Sequence, residues 1–511
     1  MPTKIYKGML LLAAVILLAG SGFLQQRLVR DRDALGLTRY TELKGAPPVL
    51  MLTTVALGGF RGLISNALWM RASDLQDNDK FFEMMQLADW ITKLEPHFTQ
   101  VWINQAWNMA YNISVKFKDP ADRWRWVKAG FELLRDEGLK YNPNDVLMFR
   151  ELSWIFQHKM GANLDDAHIY YKQMWANQMT NIFGKGTPSL EPLLNPTNAE
   201  QEHRLFELTN VFKMDPKMMK EVDDRYGPLE WRLPEAHAIY WAALGLKYAE
   251  KDPRRFGTNE LMTLHRSIFQ SMQLSFQRGH LIANKAGGVF EFGPNLDIIP
   301  NVDKAYREAW TNELSSRPNI ENAEKNFIRD AIYELYINDR KAEALYWFRY
   351  YETNEYGKSL MVGTTNATPE NFSLDQYVVA MIADQVNSGD KDRLEGIIEG
   401  IERTAFKSLV LDQDERYPLL EDFARRVVDR YNAKIKGTAA LRVSLTRLQD
   451  IRQYVLTNML EELPPLQAAV LRSKLHLPPP SQSTAPSAPA PSTNAPPAGS
   501  AATNAPPPGS Q

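Results

Sequence analysis

Apolar residues spaced three and four apart, repeatedly cut by prolines, constrain this chain more than any other feature. Phe81, Met84, Ala88 and Ile91 share one face of a helix predicted over Lys80–Leu94, before Pro96. Helices over Gln100–Val115 and Pro120–Lys140 follow, the second ended by Asn142-Pro143. Proline removes a backbone donor and disfavours α geometry in the residue before it, so both stops are physical. The same spacing predicts helices over Asp145–Lys159, Leu164–Asn181, Glu200–Phe212, Pro234–Glu250, Thr258–Gly279, Asp303–Leu314, Ala323–Asn338, Lys341–Tyr351, Leu374–Asn387, Asp390–Ala405, Leu419–Lys434 and Ala440–Leu460. Asp215-Pro216 reads as an N-cap followed by proline in the first turn of another. No apolar/polar alternation is long enough to demand a sheet. The expected class is all-α.

Within that series, Trp241-Ala-Ala-Leu244-Gly245-Leu-Lys-Tyr248 places two large rings on either side of a glycine. A helix bearing that pattern has a gap into which a neighbouring helix can press. Ala167-x3-Tyr171 and Ala344-x3-Phe348 set a small residue one turn before a ring, as the facing helix would need. Trp241, Leu244, Gly245, Tyr248, Ala344 and Phe348 are therefore expected to be packing residues.

These residues resemble the tetratricopeptide repeat, whose first helix carries W-x2-L-G-x2-Y. More narrowly, Gly58-Gly-Phe-Arg-Gly62, Leu87-Ala-Asp-Trp-Ile-Thr92, Gln105-Ala-Trp-Asn-Met-Ala-Tyr111 and Tyr226-Gly-Pro-Leu-Glu-Trp-Arg-Leu-Pro-Glu-Ala-His237 are similar to an uncharacterised bacterial family of membrane-anchored, repeat-containing proteins. The resemblance implies an α-solenoid of helical hairpins and a membrane tether, and carries no activity. Pro96 and Pro143 lie further apart than the roughly 34 residues of a regular repeat, so the solenoid is expected to be irregular.

The ends differ from the body. Lys4 and Lys7 precede an uncharged run at 8–24, expected to be a transmembrane signal anchor following a cytoplasmic 1–7; the alternative is a signal peptide cleaved near Ala19-Gly20-Ser21. A juxtamembrane linker at 25–46 then leads to a repeat domain at 47–476. Basic residues before the run favour an inside N-terminus, which would put the bulk of the chain in the periplasm, outside a bacterial inner membrane. Residues 47–70 are expected to cap the first helix pair, with Leu68, Trp69 and Leu75 on a helical stripe. Loops rich in Gly, Pro and Asn are expected to interrupt the domain at 184–234 and 279–302. Residues 477–511 are Pro/Ala/Ser-rich and without charge or aromatic rings beyond His476, so a disordered tail is expected.

Composition narrows function by exclusion. With no cysteine, thiolate metal sites, disulfides and cysteine nucleophiles are ruled out. A formal charge of -2 offers no basic footprint for nucleic acid. No phosphate-binding loop, H-E-x-x-H or G-x-S-x-G occurs, so no catalytic residue, metal or cofactor is assigned. Asp165 and Asp166, beside His168, read as negative charge at a helix N-terminus rather than as ligands. The densest candidate for partner or ligand binding is Trp231, Arg232, Glu235, His237 and Tyr240. There a polar–aromatic pocket, closed by the 279–300 loop, would grip a peptide or a sugar. The competing account has Trp231 and Trp241 packing the array while Arg232 pairs with a carboxylate across the loop. The expected function is a membrane-anchored scaffold for protein–protein interaction. The alternative is an envelope enzyme or carbohydrate- or peptide-binding factor built on 226–241 and 279–300.

Overall fold

The helices begin where proline and capping side chains start them. The computed structural model describes residues 60–251, 258–283, 290–350, 373–383, 391–434 and 444–478, with scattered positions between 12 and 34. The first helices are α1 (Phe60–Asp77), α2 (Phe81–Leu94), α3 (Thr99–Trp107), α4 (Pro120–Glu132), α5 (Val146–Trp154) and α6 (His168–Phe183). Asp119 accepts the Ala121 N–H with Pro120 in the first turn of α4, and Asp145 accepts the Leu147 N–H at α5. The carbonyl of Pro96 accepts both the Trp102 indole N–H (2.8 Å) and the Asn142 amide (2.9 Å). The proline that stops α2 thus also ties together the two following turns.

α3, α4 and α5 each run on into a wide π turn, at Asn108–Ile113, Leu133–Gly138 and Ile155–Gly161. The predicted lengths to 115, 140 and 159 are close, but the insertions were invisible in the sequence. Each re-aims the side chains that follow it. α6 starts at His168, four residues later than expected, because Asp165 is drawn into an ion network before the helix begins.

The 184–234 insertion holds α7 (Glu191–Leu194), in the stretch expected as a loop, then α8 (Ala199–Asn210) and α9 (Pro216–Tyr226), close to the helices predicted there. Asp215 caps α9 through the Lys217 N–H, as its Asp-Pro start predicted. α10 (Pro234–Lys251) and α11 (Thr258–Arg278) follow. The 279–300 segment departs from the all-helical expectation. His280–Ala283 (β1) and Phe290–Gly293 (β2) pair antiparallel, with His280 opposite Gly293. Four-residue strands are too short for alternation to be legible in the sequence.

Beyond the ribbon come α12 (Ile299–Asn312), α13 (Arg317–Ile337), α14 (Lys341–Tyr350), α15 (Leu374–Ala383), α16 (Lys391–Val410), α17 (Arg416–Lys434), α18 (Leu448–Glu462) and α19 (Pro465–Lys474). α12 and α13 start earlier than predicted, with Pro300 and Pro318 in their first turns. α19 was not foreseen. The body is predominantly helical, and helices adjacent in sequence pack pairwise: α1 on α2, α10 on α11, α13 on α14, α16 on α17. One hydrophobic cluster runs from Trp102 to Leu471. Leu68 and Trp69 pack on Ala88 and Ile91, and Leu75 on Met84, as the predicted stripe requires.

The Trp241–Tyr248 pattern is filled by Phe149. Its ring stacks on Tyr248 (centroids 5.3 Å apart) and lies parallel to Trp241 at 6.3 Å. A side chain at Gly245 would begin 3.1 Å from both Phe149 Cβ and Leu264 Cδ2. α10 is thereby clamped between α5 and α11. Leu244 is half-buried beside this contact, while Ala344 and Phe348 are buried where α14 meets its neighbours.

About half of the 8–24 run, most of 25–46, residues 47–59 and the tail from 479 lie outside the described residues. Leu12, Val15, Ile16 and Leu17 are helical with exposed side chains. Among the described residues no helix is long and apolar enough to cross a membrane. Gly245→Leu should lower stability by about 1–3 kcal/mol, because the pocket it must enter is already occupied. Urea unfolding of the pair measures this, and an unchanged midpoint would mean that α10 is not held by a close contact there.

Candidate functional site

Trp231, Arg232, Glu235, His237 and Tyr240 are brought together, but into a packed interior rather than a pocket. All five are buried. The Arg232 guanidinium forms a two-pronged pair with Glu230, at 2.7 Å from each carboxylate oxygen, and also donates to the carbonyls of Gly184 (3.3 Å) and Lys185 (3.0 Å). Trp231 donates to Asp223 at 3.1 Å. His237 Nε2 lies 2.8 Å from the Trp231 carbonyl, and burial pulls the imidazole down to about 4, so it is neutral. Tyr240 accepts the Asp215 N–H at 2.9 Å. Glu235 accepts from Arg278 at 3.2 Å.

The expected partnership with the 279–300 loop exists as packing. Leu281 and Phe292 of the ribbon press on Leu233 and Ala176, and Asn295 donates to the Pro228 carbonyl. Asp297 does not face Glu230, Glu235 or His237; it pairs with Arg340 at 2.6 Å. The same residue types that line a binding pocket also satisfy one another in a core, and the composition of the segment could not separate the two. Arg232 does pair with a carboxylate, but with one two residues away rather than across the loop.

Asp165 matches its helix-start assignment and exceeds it. It accepts the Ala167 N–H (2.9 Å), Tyr171 (3.1 Å) and Lys159 (2.6 Å), with Arg123 at 3.3 Å. Burial pulls its carboxyl upward, but the bonds from Lys159, Ala167 and Tyr171 outweigh it and hold Asp165 below its ordinary value. Asp166 is 97% exposed and has no such role. Among the described residues no group of three or more His, Asp and Glu could hold a metal.

The π turns assemble a row that was not anticipated. Trp107 stacks on Tyr111 (4.1 Å) and Trp154 on His158 (4.5 Å), while Tyr111 and His158 meet at 5.8 Å. Lys159 Nζ lies 5.1 Å over the Tyr111 ring. Buried beneath is Glu151, whose Oε1 has no hydrogen-bond partner and whose carboxyl burial pushes up to about 7. Burial and neighbouring Lys159 hold His158 down.

An open groove of about 530 Å³ lies among α2, α3 and α4, lined by Phe82, Met85, Gln86, Asp89 and Trp90 of α2, Gln105 of α3 and Trp126 of α4. Its volume falls within the span of ligand-binding clefts. Phe82 and Trp90 are both 54% exposed, and Phe82 meets Trp126 edge-on at 5.6 Å. Gln105 is only 7% exposed, and its Oε1 has no hydrogen-bond partner. Asp89, the groove's single charge, is paired with Lys93 at 2.5 Å.

A sequence signal for this groove existed. Phe81-Phe82, Met84-Met85 and Trp90-Ile91 are doubled apolar positions, so α2 carries one stripe for the core and a second that the core cannot use. No family model, no curated protein and no solved structure matches the chain.

Two outcomes are expected. Arg232→Ala should cost about 3–5 kcal/mol in urea unfolding, because it strands the buried Glu230 carboxylate; a stable variant would contradict a packing role. Glu151→Gln should flatten part of the pH dependence of stability. The folded pKa of Glu151 is raised, so its stabilising contribution is complete below about 4.5 and is lost as pH climbs to about 7. Relative to wild type, the variant should gain up to about 1.4 kcal/mol per pH unit across that window. Parallel denaturation midpoints from pH 4 to 8 would refute it.

Proposed function

We propose that this chain is a non-enzymatic scaffold: an irregular α-solenoid of tetratricopeptide-like hairpins, tethered to a membrane by residues 8–24, that holds a segment of a partner protein. The observation that carries this reading is the groove of Phe82, Trp90 and Trp126, where exposed rings surround an unsatisfied amide. Exposed aromatic anchors around a few polar groups are the usual composition of a peptide-binding surface. The close fit of Phe149 into the Trp241–Gly245–Tyr248 gap supports the repeat-like half of the proposal. The uncharged 8–24 run following Lys4 and Lys7 supports the tether, with the body in the periplasm of a bacterial envelope. We favour this over an envelope enzyme or carbohydrate- or peptide-binding factor built on 226–241 and 279–300, because Trp231, Arg232, His237 and Tyr240 are buried and hydrogen-bonded within the body.

A photoreactive phenylalanine analogue in place of Met85, irradiated in intact cells, tests the groove. Expected are adducts with one or a few proteins in the membrane pellet, lost when Trp90→Ala is added. Absence of any protein adduct, or adducts indifferent to Trp90, would remove the reading. Recovery of a soluble form lacking the first twenty or so residues would remove the tether.

A further inference from the structure

We infer that the α2–α3–α4 groove takes a proline-rich extended segment, and that the chain's own C-terminal segment, residues 479–511, is that segment. The inference rests on the groove being a peptide site, as proposed above, and adds the identity of the occupant.

Four features of the groove select this chemistry. Its rings offer flat faces: Trp90 and Phe82 stand half out of the surface, with Trp126 beside them. Pyrrolidine rings pack well on such faces, which is how aromatic-lined grooves recognise polyproline segments. Second, a polyproline II strand has no internal hydrogen bonds, so all its carbonyls seek donors. The indole N–H groups of Trp90 and Trp126 bond to no described residue and are available. Third, the Gln105 amide, buried and with an unpartnered oxygen, waits for a polar group that can reach it. Fourth, the groove is electrically balanced, because Asp89 is paired with Lys93. A charged peptide would bring charges that nothing there compensates; a neutral one would not.

Residues 479–511 meet each requirement. They contain no charged side chain and no aromatic ring. Thr493-Asn-Ala-Pro-Pro-Ala-Gly-Ser500 and Thr503-Asn-Ala-Pro-Pro-Pro-Gly-Ser510 present nearly the same unit twice, differing only at Ala498 and Pro508. In each unit a Thr hydroxyl and an Asn amide precede the prolines, at hand for Gln105. Proline already fixes φ, so less freedom is lost on docking than for an ordinary segment. The 33 residues 479–511, extended as polyproline II, span roughly 100 Å. Tethering raises the effective concentration to the millimolar range, and two copies of the unit raise the chance of occupancy further. The tail would then compete with any partner segment for the groove.

The full chain carrying the photoreactive analogue at Met85 tests this by mass spectrometry. Lys474 is the last basic residue before the C-terminus, so trypsin releases residues 475–511 as one peptide. The expected result is an adduct on that peptide, reduced at least tenfold by Trp90→Ala. Replacing Pro496, Pro497, Pro506, Pro507 and Pro508 together by serine should reduce it as much, leave the fold untouched and increase adducts with other proteins. Trp90 is half exposed, so an unchanged thermal midpoint for Trp90→Ala is the control for folding. No adduct on 475–511, or one indifferent to the proline substitutions, overturns the inference. In that case, Trp90-dependent adducts with another protein would leave the groove reading standing, whereas their absence would remove both.

Discussion

Phe149 seated over Gly245, between Trp241 and Tyr248, is the contact on which the rest of the body depends. It joins a helix near the start of the chain to one almost a hundred residues later, across the inserted α7–α9 region. Glycine is required because a Cβ would already stand 3.1 Å from Phe149 and from Leu264. The close approach sets α10 deep enough to be buried along most of its length, Pro234 to Ala242 without interruption. From there the core continues through α11, α12 and α13 to the C-terminal helices.

Burying α10 so completely forces its polar groups to find partners inside. Just ahead of the helix, Arg232 pairs with Glu230 and also donates to the carbonyls of Gly184 and Lys185; within it, His237 gives up its charge and bonds to the Trp231 carbonyl. Pairing removes much of the desolvation penalty that a lone buried charge would carry. Glu151 meets the same constraint differently, by holding its proton to higher pH. The 226–241 side chains look like a binding site in the sequence because binding sites and buried polar cores draw on the same residue types. Only the disposition of their partners separates the two.

α2 shows the converse. Its inward stripe of Phe81, Met84, Ala88 and Ile91 was legible from period alone, and is found in the core. Its outward stripe of Phe82, Met85 and Trp90 was equally present in the sequence but has no assigned place until α3 and α4 supply Gln105 and Trp126. A second apolar face on a surface helix is a sign of something to be covered. Reading doubled apolar positions, rather than only the best stripe, would have located it. The row of Trp107, Tyr111, Trp154 and His158 had no such signal, because it depends on two π turns that shift the helical phase.

The sequence by itself determined the helical class, most helix starts and the α10 half of the central clamp, but not Phe149 or Leu264, which fill it. These follow from local causes: apolar period, proline's missing donor, capping carboxylates and one glycine between two rings. Tertiary structure alone decided which polar cluster is a core and which aromatic stripe lines a groove. It also decided the wide turns in α3–α5 and the ribbon within 279–300. Those outcomes rest on what faces each side chain from elsewhere in the chain, and burial, pairing and desolvation belong to such pairs rather than to any single residue.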